Sequence, residues 1–176
     1  MAKRVAVLAV NPVNGLGLFQ YLEAFYENHI PYTVYAVAQT PHIRTNSGME
    51  LTVQGTIADL KGHESEYDAL VFSCGDAVPV FQQHASEPWN VDMMEVIRRF
   101  GEAGKVMIGH CAAALMFDMA GITHGKRLAL HPMVQGAVQY GTATNEPSVV
   151  NGGFLTAQTE NTLWTLMPQV IETLKA

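Results

Sequence analysis

The sequence has few charges, no long basic cluster and no long apolar run, and each shortage excludes a class of protein. Charged residues make up 15% of the 176 residues and leave a net charge of −6. Lysine and arginine occur side by side only in pairs, at positions 3–4, 98–99 and 126–127. A positively charged face for nucleic acid is therefore not expected. No apolar run approaches the roughly 18 residues of a membrane-spanning helix, so we expect no membrane span.

Cysteine is also scarce, with two residues in the chain. Two cysteines do not form a disulfide framework, and we expect a cytoplasmic protein in a reducing compartment. No pair of histidines or carboxylates has the spacing of a metal site such as H-E-x-x-H, which predicts no bound metal. Gly15 and Gly17 precede a helical pattern but lack the third glycine and the later acidic residue of a dinucleotide site, so no cofactor is predicted.

What the chain does contain is an apolar fraction of 48%, enough for one core, and we predict a single domain over residues 1–176. Short β-rich runs alternate with longer helical patterns, which indicates an α/β fold with a mostly parallel central sheet and helices on both faces. The predicted strands are Arg4–Val10, Tyr32–Ala38, Ala69–Ser73, Val106–Gly109 and Arg127–Leu130. The predicted helices are Leu16–Asn28, Val91–Ala103, Ala112–Ala120 and Asn161–Leu174.

Two further segments have hairpin patterns. Residues Ser148–Val150 and Phe154–Ala157 flank the turn "NGG", and the stretch "TPHIRTNSGMELTVQGT" has the pattern of a loop with a small hairpin. In the first helix, Leu18, Leu22 and Phe25 form one apolar stripe that we expect to lie on the sheet.

The stretch "IGHCAAALMFDMAG" places Cys111 between a predicted strand and a predicted helix. Its pattern G-x-C-x-A is related to the G-x-S-x-G nucleophile elbow, in which small neighbours permit a strained strand-to-helix turn. The following helix directs free N–H groups toward the thiol and lowers its pKa. The alternative is that Cys111 is inert core packing, because cysteine is among the most buried residue types.

A nucleophilic cysteine needs a base, and the chain has seven histidines. His110 is adjacent to Cys111, but neighbours in an extended segment point to opposite faces, so we expect it to face away from the cleft. His131 follows the strand-like "RLAL" and is expected to end a strand at the same sheet edge as Cys111. A loop histidine that caps the backbone is the alternative for His131. The remaining five are read as surface residues: His29, His42, His63, His84 and His124.

The stretch "SCGDA" follows a predicted strand that ends at the same edge. Its glycine could turn the N–H of Gly75 or Asp76 toward the cleft as an oxyanion donor. A simple turn at the end of a strand is the other interpretation.

Taken in order, four segments resemble the ThiJ/PfpI superfamily, with its class I glutamine amidotransferase-like fold. The segments are "KRVAVLAVNPVNGLGLFQYLEAF", "YDALVFSCGDA", "GKVMIGHCAAALMFDMAGITHGKRLALHP" and "VVNGGFLTAQTENTLWTLMPQVIETL". The resemblance implies a three-layer, flavodoxin-like sandwich with a small β-hairpin, commonly in a homodimer. It matches Cys111 to the reactive cysteine, His131 to its partner, and the N–H groups of Gly75 and Ala112 to the oxyanion donors.

The sequence departs from the family pattern at two positions. Members usually carry an acidic residue at the start of the first helix, close to the cysteine sulfur, where this chain has Gly17. Glu23 lies nearly two turns further along and is a poor substitute. Cys74 replaces the first glycine of the Gly-Gly turn, which would place it beside Cys111 as a small residue or as a redox partner.

The resemblance implies a cysteine-dependent enzyme that acts on a small electrophile, by amide or peptide hydrolysis or by hydratase or glyoxalase-type chemistry. The glycine in place of the acid favours the alternative, a member of the same fold that binds a ligand or senses oxidation without catalysis. No helix-turn-helix pattern follows the domain, so a self-contained transcription regulator is disfavoured.

Overall fold

A computed structural model describes residues 1–176 and contains eleven strands and five helices. The strands are β1 (Val5–Val10), β2 (Tyr32–Val37), β3 (His42–Arg44), β4 (Glu50–Thr52), β5 (Gly55–Thr56), β6 (Ala69–Ser73), β7 (Val106–His110), β8 (Arg127–Ala129), β9 (Thr142–Thr144), β10 (Ser148–Asn151) and β11 (Phe154–Ala157). The helices are α1 (Gly15–Glu27), α2 (Ile57–Leu60), α3 (Pro88–Glu102), α4 (Ala113–Met119) and α5 (Leu163–Lys175). Short 3-10 turns cover Glu64–Glu66, Phe81–His84 and Pro132–Ala137.

Seven strands form the central sheet in the order β10-β11-β7-β6-β1-β2-β5. Every neighbouring pair is parallel except β10 with β11, which form the antiparallel hairpin at one edge. All six residues of β1 are buried, which explains why the strand is apolar without alternation: helices cover both faces of the sheet. The predicted α/β fold, its mostly parallel sheet and its hairpin are confirmed.

The first helix positions one side of the site. The Asn14 side chain caps α1 by accepting a hydrogen bond from the Gly17 amide, with an N···O distance of 2.6 Å. Leu18 and Phe25 are buried as the stripe predicts, but Leu22 is only half-buried. Tyr21 is fully buried against the sheet in its place.

Alternation along the strands assigns side chains to the two faces. Tyr21 of α1 packs on His110 of β7, with ring centroids 5.6 Å apart. Phe72 of β6 packs on Phe117 of α4 on the opposite face, with centroids 6.4 Å apart. The α1 helix therefore lies on one side of the sheet and α4 on the other.

Two small sheets lie outside the central one. Strands β3 and β4 pair antiparallel, which confirms the small hairpin predicted there. Strand β8 pairs in parallel with β9 and does not join the central sheet. The predicted strand Arg127–Leu130 therefore lies outside the central sheet, and the expectation that it ends at the same sheet edge as Cys111 is wrong. The strand ends at Ala129. None of the helices is both long enough and apolar enough to cross a membrane.

Candidate active site

Cys111 occupies the turn between β7 and α4 in a left-handed backbone conformation, with φ of +59°. A residue other than glycine rarely adopts this conformation, so the turn is strained. Gly109 provides the clearance, because a Cβ atom there would lie 2.3 Å from the Ala113 Cβ. The strained strand-to-helix elbow predicted from the small residues is therefore present.

The Cys111 side chain is half-buried and lines a cavity of about 480 Å³ at the carboxyl ends of β6 and β7. Leu115, Met116 and Phe81 contribute apolar wall, and Met133 and Met119 contribute flexible thioethers. No lysine or arginine lines this cavity. The space suits a small molecule with apolar groups near the thiol.

Cys74 lies beside Cys111 in the cavity wall, because the paired strands β6 and β7 run in register up to Phe72 and Gly109. The neighbouring Cys74 thiol lowers the pKa of Cys111, while burial and the charge of Glu160 act in the opposite direction. The proximity of Cys111, together with burial, raises the pKa of Cys74. Cys111 is thus the thiol that ionises first, and the Cys74 thiol lies close enough to stabilise its thiolate.

The backbone N–H groups of Gly75 and Ala112 both approach the Cys74 sulfur, and the Ala112 N–H also approaches Cys111. Neither group donates to a backbone or side-chain oxygen of the protein. Position 75 requires glycine, because a Cβ there would lie 2.2 Å from the Pro12 carbonyl oxygen. The two amides predicted as oxyanion donors therefore lie close to the thiols and bond to no protein oxygen.

His131 lies in the cavity wall although it ends no strand. Its backbone N–H donates to the Cys111 carbonyl oxygen over 3.0 Å, which holds the two segments together. Its Nδ1 accepts a hydrogen bond from the Met133 amide over 3.2 Å, so the proton of the neutral ring resides on Nε2. His131 therefore caps the following 3-10 turn, as the loop interpretation predicts, and also lines the cavity that contains Cys111.

His110 adjoins Cys111 in the chain, but its ring packs against Tyr21 of α1. Alternation does place its ring on the α1 side of the sheet, where it is 1% exposed. Gly17 has no side chain, and the ring occupies that space, with Nε2 only 2.4 Å from where a Cβ at position 17 would lie. Burial lowers the pKa of His110 from 6.5 to about 4, so the ring is neutral at neutral pH.

The acidic residues near the cavity differ from those singled out in the sequence. Glu23 is exposed on α1 and does not line the cavity. Asp76 lies exposed at the rim, with its amide bonded to the Asn46 side chain. Glu160, in the loop before α5, lines the cavity and was missed, because nothing local distinguishes it from other loop carboxylates.

The fold and the strained cysteine place the protein in the class of α/β proteins that carry a nucleophile elbow. The chain belongs to the DJ-1/PfpI family, whose sequence model matches residues 3–173.

Similar proteins agree with this assignment. Protein ppBat from Bacteroides thetaiotaomicron is 67% identical over 175 residues, which cover 99% of this chain and 100% of that protein. A crystal structure from the same bacterium, of a protein with the provisional name protease I, has 67% identity and a TM-score of 0.98 over 99% of this chain and 100% of that one. Drosophila melanogaster DJ-1beta shares the fold, with a TM-score of 0.85 and 15% identity over 99% and 91% of the two chains.

Proposed function

We propose that the protein is an enzyme in which Cys111 attacks a small electrophile, either an amide or peptide carbonyl or a reactive aldehyde. One observation carries the proposal: the thiol at the strained elbow faces a cavity of about 480 Å³, and a neighbouring thiol lowers its pKa. An inert core cysteine needs none of these features.

In this proposal the thiolate adds to the carbonyl carbon and the electron pair of the C=O bond moves to the oxygen. The N–H groups of Gly75 and Ala112, which bond to no protein oxygen, stabilise the developing negative charge. His131 lines the cavity with its ring proton on Nε2, so in this proposal it donates a hydrogen bond to the oxygen or to the leaving group, while the proton lost by the Cys111 thiol reaches a leaving amine through solvent. Cys74 stabilises the Cys111 thiolate, which reduces the need for a separate base.

The relative that carries the name protease I supports the hydrolytic branch of this proposal. Purified protein is incubated with methylglyoxal in one series and with short peptide amides in another. We expect turnover of one series by the wild type and none by Cys111→Ala. A His63→Ala variant, altered at an exposed position outside the cavity, serves as the control and retains the activity. Equal rates for the wild type and Cys111→Ala in both series would contradict the proposal.

The thiol pair favours a second candidate function, the sensing of hydroperoxides. The Cys111 thiolate attacks the peroxide oxygen, which releases water or an alcohol and leaves a sulfenic acid. The Cys74 thiol then displaces the hydroxyl group as water and forms a disulfide. Mass spectrometry after mild peroxide treatment is expected to show the loss of two hydrogen atoms, reversed by dithiothreitol and absent in Cys74→Ala. Unmodified cysteines after this treatment would exclude the second function.

We also propose a homodimer in the cytoplasm that binds a small molecule. Two free thiols favour a reducing compartment. Light scattering coupled to size-exclusion chromatography measures the mass in solution, and a mass near 19.2 kDa would exclude the dimer.

A further inference from the structure

Two acidic residues, Asp76 and Glu160, line the Cys111 cavity. Strand β7, which leads to Cys111, runs between β6 and β11 in the central sheet and is parallel to both. Asp76 lies three residues beyond Ser73, the end of β6, and Glu160 lies three residues beyond Ala157, the end of β11. The carboxyl ends of parallel strands meet at one edge of a sheet, so the two acidic residues flank the thiol from opposite sides.

Neither carboxylate has a partner within the protein. None of the ion pairs includes Asp76 or Glu160, and neither side chain takes part in a hydrogen bond. Their backbones are nevertheless fixed, because the Asp76 amide donates to the Asn46 side chain over 3.0 Å and the Glu160 carbonyl oxygen accepts from the Gln20 side chain over 2.9 Å. Glu160 is half-buried, so its charge acts more strongly on a nearby cation than it would in bulk water.

The cavity contains no positive charge that balances these two carboxylates. No lysine or arginine lines it, and burial lowers the pKa of His110, so that ring is neutral at neutral pH. The Cys74 thiol has the largest effect on the pKa of Cys111 and lowers it, whereas burial and the charges of the two carboxylates raise that pKa. The carboxylates therefore oppose ionisation of the nucleophile, and activation of the thiol does not explain their position.

We propose that Glu160, together with Asp76 at the rim, selects an electrophile that carries a protonated amine beside the carbonyl group that Cys111 attacks. An aminoacyl amide or a peptide with a free α-amine has this chemistry. The inference rests on the proposed function, because it names the substrate class for the same cavity. It favours the amide branch of the proposed reaction over neutral aldehydes such as methylglyoxal.

Charge selection is measured on the thiol itself, without turnover. Two iodoacetamides are used, one with a trimethylammonioethyl group and the other with a sulfonatoethyl group on the amide nitrogen. In both reactions the Cys111 sulfur forms a bond to the CH₂ carbon and iodide leaves, and peptide mass spectrometry assigns the label. The ratio of the two rates cancels the thiolate fraction, since both reagents react with the same thiolate. Division by the ratio for N-acetylcysteinamide removes the intrinsic difference between the reagents.

After this correction, we expect the wild type to react about tenfold faster with the cationic reagent than with the anionic one. Glu160→Gln should lower the preference about threefold, and the wild-type preference should fall as the ionic strength rises. Glu23→Gln removes the same charge from an exposed position outside the cavity and should keep the wild-type preference. A wild-type ratio equal to that of the reference thiol, or equal preferences in Glu160→Gln and Glu23→Gln, would overturn the inference.

A matched pair of substrates tests the class of electrophile. An alanine anilide with a free amine is compared with its N-acetylated form, which has no charge. We expect the wild type to hydrolyse the free-amine substrate with about tenfold higher kcat/KM, and Glu160→Gln to lose most of this difference. Equal kcat/KM values for the two substrates would contradict the inference.

These measurements separate the two proposals. Equal turnover by the wild type and Cys111→Ala rejects the enzyme, and the alkylation ratios then decide on charge selection alone. Turnover that depends on Cys111 but shows no preference for the charged substrate rejects only the substrate class.

Discussion

His110, the last residue of β7, and Asp118, near the end of α4, are two buried ionisable side chains whose surroundings differ sharply. Both are 1% exposed. The Asp118 carboxylate accepts hydrogen bonds from the Thr123 hydroxyl at 2.6 Å and from three backbone amides at 2.7 to 3.0 Å, those of residues 139, 140 and 141. His110 has one partner, Tyr21. The Asp118 carboxylate is saturated with hydrogen bonds, whereas the His110 ring keeps one buried nitrogen without a partner.

The chemistry of each group follows from this difference. Burial alone would raise the pKa of Asp118, but the bonds from Gln139, Thr123, Gly141 and Tyr140 lower it below its ordinary value. Nothing compensates for burial at His110, whose pKa therefore falls. Asp118 stays charged and holds the segment before β9 against α4, while His110 stays neutral.

The largest expected loss of stability comes from substitution of Asp118. Asp118→Asn replaces one acceptor oxygen by an NH₂ group that faces donors, so we expect the free energy of unfolding to fall by about 3 kcal/mol. Urea denaturation measures it. Glu102→Gln removes an exposed ion pair with Arg98 and should cost less than about 1 kcal/mol. Similar losses of unfolding free energy in the two variants would show that the buried hydrogen bonds of Asp118 stabilise the fold no more than an exposed ion pair does.

The next effect concerns His110 and pH. Its pKa is depressed in the folded state, so between 6.5 and about 4 the unfolded chain binds more protons and stability falls as the pH falls. Between pH 7 and pH 5 this contributes a loss of about 2 kcal/mol. Urea denaturation at both pH values should show that His110→Gln lacks this loss of stability, whereas Ser73→Ala, which alters the other buried side chain without a hydrogen-bond partner, should retain it. An unchanged pH dependence in His110→Gln would show that the ring does not titrate in this way.

A smaller effect is expected at Cys74. Cys74→Ala removes the neighbouring thiol that lowers the pKa of Cys111, so that pKa should rise and alkylation of Cys111 by iodoacetamide near neutral pH should slow roughly tenfold. Cys74→Ser retains a hydroxyl donor and should recover part of the rate. The rate is measured across a pH series, and a Cys74→Ala profile that overlays the wild type would indicate that the thiols do not interact.

The smallest effect is at Glu160, whose charge raises the pKa of Cys111. Glu160→Gln should therefore increase the alkylation rate at pH 7 about twofold. Glu23→Gln is the matched control, since Glu23 is exposed and lies outside the cavity. The same increase in both variants would assign the effect to net charge rather than to Glu160.

Local patterns in the sequence predict the elbow well and predict the wall around it poorly. Gly109, Cys111 and Ala113 are close in the chain, and the steric requirement that joins them is local. The position of His110 depends on Gly17, which is 93 residues away in the chain, and strand alternation alone cannot reveal a space left by another element. Glu160 reaches the site through the loop after β11, whose path depends on the completed sheet.

The close approach between position 17 and His110 also couples substitutions at the two positions. A Cβ at position 17 and the present His110 ring exclude each other at 2.4 Å. A larger residue at position 17 therefore requires the His110 ring to move, so substitutions at the two positions are expected to be non-additive.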